Sequence, residues 1–178
     1  MHRQYRSLLS ASEAIATERD LTSLFKNLAE HLRAVAEFDA VTTVLYDPAH
    51  DLMRVQMAEP KLLENAPMPI ELPVDASASG WVWKTQRPLI ITDTEQEERF
   101  PELIKFARRG GLRSCCLLPL IAVGRWLGVL GFGSAKVSSY NQGDLEFLQQ
   151  VANQVAVAID NALKFEDARA AEQEVRLL

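Results

Sequence analysis

Cysteine is almost missing from this 178-residue chain: there are two, Cys115 and Cys116, side by side. Neighbouring residues on a strand point to opposite faces, so the pair suits neither a disulfide nor a shared metal ion. That usage fits a reducing compartment, and a cytoplasmic location is expected. Histidine is as scarce, and His2, His31 and His50 lie far apart. No G-x-S-x-G, H-E-x-x-H or G-x-x-x-x-G-K-[ST] pattern occurs, so nucleophile-elbow, zinc-hydrolase and P-loop chemistry have no footing. Basic charge is not in excess either. The 19 lysines and arginines are outnumbered by 24 acidic residues, for a net charge of −5, which argues against a broad nucleic-acid-binding surface. No apolar run approaches the ~20 residues needed to span a bilayer. The opening MHRQYRSLLS lacks the apolar core of a signal peptide.

What is present organises around Ser114–Ser134, SCCLLPLIAVGRWLGVLGFGS. It reads as two strands, Ser114–Ile121 and Trp126–Phe132, joined by a turn at Val123-Gly124-Arg125. Neither strand alternates apolar with polar, so both faces must be covered. A lone hairpin is unstable, so further strands flank it. Pro119 predicts a bulge or a site where no ladder bond is needed, and Gly128, Gly131 and Gly133 predict close packing on that backbone.

Upstream, Tyr5–Arg19 reads as a helix with a thin apolar stripe. Asp20 caps a second helix, in which Leu21, Leu24, Phe25, Leu28, Leu32 and Val35 form a core face; His31 lies beside that stripe as a helix-surface or capping residue and not a ligand. AVTTVLYD and LMRVQMA alternate around Pro48-Ala49-His50-Asp51 and form an antiparallel hairpin. Glu59–Pro73, with four prolines, is a loop that ends in a short strand near ELPV. Ser77 or Ser79 caps a short helix, WVWKTQ, which Arg87-Pro88 ends. Leu89–Ile91 is a brief strand. Phe100–Arg109 is a helix with Pro101 in its first turn and Gly110-Gly111 at its end. Asn141 or Ser139 caps a final helix beginning near Gly143-Asp144 and running toward the C-terminus. At about 50 Å it is too long for one small domain to cover, so its tail leaves the domain.

Several stretches carry a family resemblance: YDP at Tyr46–Pro48, SGWVWKTQRPLIITD at Ser79–Asp93, RFP at Arg99–Pro101, Gly111–Ser134 and DLEFLQQVANQVAVAIDNAL at Asp144–Leu163. In these the chain resembles a GAF domain, a small-molecule-sensing relative of the PAS fold. Within that family it is most similar to the sensor at the N-terminus of sigma-54-dependent activators of the formate hydrogenlyase activator type. The resemblance implies an α+β fold: a six-stranded antiparallel sheet with terminal helices on one face, and short helices and loops closing a pocket over the other. It implies a homodimer paired through the terminal helices, which the overlong last helix supports independently. It also implies a division into an N-terminal signalling helix (1–20), a sensor domain (21–163) and a helical linker (164–178). In such activators an ATPase and a helix-turn-helix follow. Neither lies in these residues, so the chain is expected to be a piece of a longer protein.

The expected role is therefore regulatory and not enzymatic: a small ligand, of anionic character on one reading, changes how the helices pair. The domain itself touches neither nucleic acid nor membrane. Candidate ligand-binding residues are Trp81, Trp83, Lys105, Arg109, Arg113 and Cys115. Trp81 and Trp83, two positions apart on one helix, cannot both face inward; either one lines a cavity or both serve core packing. Lys105, Arg108, Arg109 and Arg113 form the only local basic cluster. Either they edge an anion pocket or they are a solvated helix face. Cys115 beside Arg113 is a low-pKa thiol or metal ligand, or else a small buried hydrophobe like Cys116. Some relatives of this type hold iron or a tetrapyrrole through a pocket cysteine, but the further ligands are not recognisable here. The asparagine-lysine-phenylalanine pattern of cyclic-nucleotide-binding relatives is absent, and two cysteines exclude the three-cysteine redox relatives. No cofactor or metal is required. The alternatives are a ligand-free dimerisation module and a redox or iron sensor using Cys115.

Overall fold

The computed structural model describes residues 2–60 and 70–177. Its elements are, in order, α1 (His2–Ala16), α2 (Leu21–Arg33), β1 (Ala40–Asp47), β2 (Leu52–Glu59), β3 (Ile70–Pro73), α3 (Ala78–Thr85), β4 (Leu89–Ile91), α4 (Pro101–Gly110), β5 (Ser114–Ala122), β6 (Arg125–Ser134) and α5 (Leu145–Leu177), the last entered through a 3₁₀ turn at Gln142–Asp144. The strands make one sheet in the order β3-β2-β1-β6-β5-β4, with every neighbouring pair antiparallel. The predicted α+β, six-stranded sheet is thus the sheet observed. The part of the proline-rich loop at 61–69 lies outside the described residues.

The boundaries follow local chemistry. Asp20 accepts a hydrogen bond from the Ser23 amide at 2.8 Å and so caps α2. Of the two serines before α3, Ser77 is the cap, accepting from the Gly80 amide at 3.0 Å. Gly111, in the left-handed region at φ 67°, stops α4 where a side chain would be strained. Asn141, and not Ser139, enters the last helix: its amide donates to Asp144 Oδ2 at 2.9 Å, while the Ser139 hydroxyl donates to Ser134. Pro119 sits just before a register shift between Leu120 and Ile121. It lies beyond Leu117, where β4 stops pairing with β5, so its missing N–H leaves no gap in that ladder.

Each sheet face has its own core. On one face α1, α2 and α5 cover Val41, Met57, Cys116, Leu118, Leu130 and Phe132. On the other, α3, α4 and their loops cover Val44, Met53, Val55, Cys115, Leu117 and Val129. Cys115 and Cys116 therefore belong to opposite cores, as strand alternation requires. A bulge in β2 maintains the faces: Thr43 pairs with Met57 and Val44 with Val55, so Gln56 is the extra residue. Without it Met57 and Ala58 would exchange faces.

The last helix outruns its support. Its buried residues end at Ala162, and from Lys164 to Leu177, about 20 Å of helix, every side chain is exposed in the single chain. Glu166 still touches the body, its carboxylate accepting the Leu21 amide at 3.2 Å at the start of α2.

Candidate functional site

The short-helix face of the sheet contains a hollow of about 630 Å³, and the strand register explains it. One row across the sheet reads Ala58–Thr42–Gly131–Leu117; another reads Ala40–Gly133–Cys115. Apart from Leu117 these are small residues, and two of them have no side chain. The neighbouring row is Val55–Val44–Val129, larger residues buried in the core beneath α3. The sheet is therefore filled at one end and scooped out at the other. A Cβ on Gly131 would meet the Thr42 hydroxyl at 2.7 Å, and one on Gly133 would meet the Leu112 side chain at 2.8 Å. At either glycine an added methyl would have to push a neighbouring side chain aside. Leu103, Phe106 and Ala107 of α4 form the roof, and Ile70 and Leu72 of β3 one wall.

The α3 helix is seated by Gly80, whose added Cβ would run into the Val74 backbone carbonyl. That contact brings Ser79 to the hollow's edge. Thr94 closes another side. Its amide bonds the Arg113 carbonyl at 2.8 Å and its hydroxyl donates to the Leu112 carbonyl at 2.9 Å, fixing the loop before α4 to the strand entrance.

Of the six residues singled out from sequence, Cys115 alone lines this hollow. Burial, reinforced by the neighbouring Cys116 and by Glu97, pushes its thiol up to about 12, and burial likewise pushes Cys116 up to about 12. At neutral pH both stay protonated, the form that neither attacks nor binds metal. Arg113, which on one of the two readings would lower the thiol, is engaged elsewhere: its guanidinium pairs with Asp93 at 3.2 Å and Glu95 at 3.7 Å. Among the described residues no group of three or more His, Cys, Asp or Glu is placed to hold a metal.

The other four lie outside the hollow. Leu103, Phe106 and Ala107 take the inner face of α4, which turns Lys105 and Arg109 to solvent; Lys105 pairs with Glu102 at 3.4 Å there. Neither tryptophan lines the hollow. Trp83 stacks on Tyr46 with centroids 4.4 Å apart and meets the edge of Trp126 at 5.9 Å, while Trp81 packs against the α3-side core. The cluster of positive charge and the cavity are thus separate features. Sequence reading missed Thr22, Thr42, Gln56, Ser79 and Thr94, the uncharged polar residues that line the hollow; none carries a motif, and their meeting depends on tertiary packing and cross-strand register.

The GAF-domain family model matches residues 18–160. The chain belongs to the GAF family. A formate hydrogenlyase transcriptional activator of Salmonella typhimurium is 26% identical over 167 residues, 92% of this chain and 24% of that protein. The activator of the same name from Escherichia coli K12 is 25% identical over the same share of both chains. The GAF domain thus spans about a quarter of the length of these relatives. Among solved structures, the GAF domain of an Acinetobacter phosphoenolpyruvate-protein phosphotransferase superposes with a TM-score of 0.75 at 15% identity, covering 92% of this chain and 97% of that one. The GAF domain of a Bacillus halodurans sensor histidine kinase gives 0.70 at 19% identity, covering 84% and 99%. A free methionine-R-sulfoxide reductase from Neisseria meningitidis, solved with its substrate, gives 0.72 at 18% identity, covering 90% of each chain. At these identities the structural likeness carries the fold alone. Among the described residues no helix is long and apolar enough to cross a membrane.

Proposed function

We propose that this GAF domain is the ligand-sensing regulatory part of a bacterial transcriptional activator, acting by binding and not by catalysis. The observation that carries the reading is the two-row scoop in the sheet, a pre-formed hollow of ligand size. The names of its relatives in Salmonella and Escherichia, transcriptional activators, supply the regulatory context, and the proposed setting is cytoplasmic. The protonated Cys115 thiol weighs against the redox alternative and against turnover.

The route from ligand to output is short. Strand β5 presents Cys115 and Leu117 to the hollow, and Cys116, Leu118 and Leu120 to the core under α5. One strand's thickness separates ligand from signalling helix. The turn after β5 is also tied to α5, since Arg125 pairs with the buried Asp160 at 3.0 Å. A ligand shifts the pairing of terminal helices in a homodimer only if it binds one arrangement more tightly than the other. The domain needs no direct contact with nucleic acid for this. Thermal-shift screening against small acids, nucleotides, nitrogen oxides and neutral aromatics tests the reading. Stabilisation that rises with concentration is expected, by about 2.7 kcal/mol at a hundredfold excess over Kd. A flat response to every class would leave a ligand-free dimerisation module.

A further inference from the structure

We infer that the hollow selects an uncharged, mainly apolar small molecule carrying a hydroxyl or similar neutral polar group, and rejects carboxylates and phosphates. This rests on the sensor reading above and narrows it, against the anionic ligand that the basic residues near Arg109 would suggest.

The argument is one of charge placement. The lining is mainly apolar: Leu103 and Phe106 above, Ile70 and Leu72 to one side, Phe25 of α2 at another, and a sheet floor of alanine, glycine, threonine and cysteine with Leu117. Among the described residues the only charged side chains at the hollow are Lys26 and Glu59, both exposed and thus at its mouth. Arg113, the cation nearest in sequence to Cys115, is already neutralised by Asp93 and Glu95. An anion entering would give up its hydration with no cation among the described residues inside to replace it, which costs several kcal/mol or forces it to take up a proton.

Neutral polar groups do have partners. The Thr42 hydroxyl overhangs Gly131 on the floor, and Ser79 stands at the edge. No hydrogen bond to either hydroxyl is found among the described residues, whereas the Thr94 hydroxyl is already committed to Leu112. A ligand hydroxyl or amide can therefore pair with Thr42 or Ser79 while its ring fills the apolar space. The volume of about 630 Å³ suits one or two fused rings better than a one- or two-carbon acid.

The test uses matched pairs on the full chain by calorimetry: 2-naphthol against 2-naphthoate, indole against indole-3-carboxylate, and benzyl alcohol against benzoate. The neutral member of each pair is expected to bind at least about tenfold more tightly. Thr42→Val should weaken 2-naphthol while leaving naphthalene unchanged. Leu103→Trp, which fills the roof from a half-buried position, should abolish both without altering the circular dichroism. Carboxylates binding as well as or better than their partners would overturn the neutral-ligand inference and leave the sensor reading standing. If neither member of any pair binds, this inference falls; if the wider screen is flat as well, the sensor reading falls with it.

Discussion

The two adjacent thiols show how one strand position differs from the next. Cys115 borders a hollow and Cys116 a dry helical core, yet burial raises both to about 12. The sign of the consequence is fixed. A thiol whose folded pKa lies above its unfolded value of about 8.5 contributes fully below that value, and its contribution drains away as pH climbs toward the folded pKa. Stability should therefore hold to about pH 8.5 and then fall, by on the order of 1–2 kcal/mol per thiol by pH 10. Urea titrations at pH 7, 9 and 10, run beside a Cys115→Ala/Cys116→Ala variant, check this; equal slopes in both proteins would refute it. The native thiols should also resist a disulfide reagent at pH 8 and react fully once unfolded. Gly131 is the other telling residue. Gly131→Ala places a methyl against the Thr42 hydroxyl, so it should cost about 1–3 kcal/mol by overpacking, and Thr42→Ala should recover most of it in a double-mutant cycle by urea denaturation.

Secondary elements were legible where one local signal dominates. The covered strands β5 and β6 follow from their unbroken apolar run, α2 from Asp20 and a three-four stripe, and the end of α4 from its glycines. The family resemblance implied a pocket on this face, but the residues that shape it were not legible, because the hollow is made of side chains that are missing. Ala40, Thr42, Ala58, Cys115, Gly131 and Gly133 come from two hairpins far apart in sequence, and only the pairing register stacks them in adjacent rows. The Gln56 bulge, which puts Ala58 on the correct face, has no sequence signature of its own. The basic residues of α4 misled for a related reason. Their spacing shows that they share a face of the helix, but which face meets the sheet is decided by Leu103 and Phe106. Docking of α3 makes a clean test at this scale. Gly80→Ala should lower stability by about 2–4 kcal/mol, since its clash is with backbone at Val74 and no side chain can yield. An exposed control, Thr85→Ala, should change little. Equal urea midpoints for Gly80→Ala and the original would show that α3 is not held by that close approach.

At the scale of the whole molecule the sheet is a partition. A hollow lies in front, a helical layer lies behind, and α5 extends past the body. Along α5, Val157, Phe165 and Val175 are exposed at 45%, 39% and 71%, and at 100° per residue they fall within an arc of about 80°. An apolar seam on a helix with no covering partner in the single chain is what a second copy would bury. Truncation after Phe165 should therefore weaken self-association by at least about tenfold, or roughly 1.4 kcal/mol, with little change in the thermal midpoint of the core, because the removed residues bury nothing there and give up only the exposed Glu166 bond to the Leu21 amide. Val157→Arg should weaken it further, from within the body of the domain. Light scattering across a dilution series gives the masses, and circular dichroism confirms that each variant is folded. A truncated chain that dimerises as tightly as the full one would confine the contact to the part of the helix that ends at Phe165. The distal tail would then be a passive link, and a ligand could act on it only by moving the body of the helix as a whole.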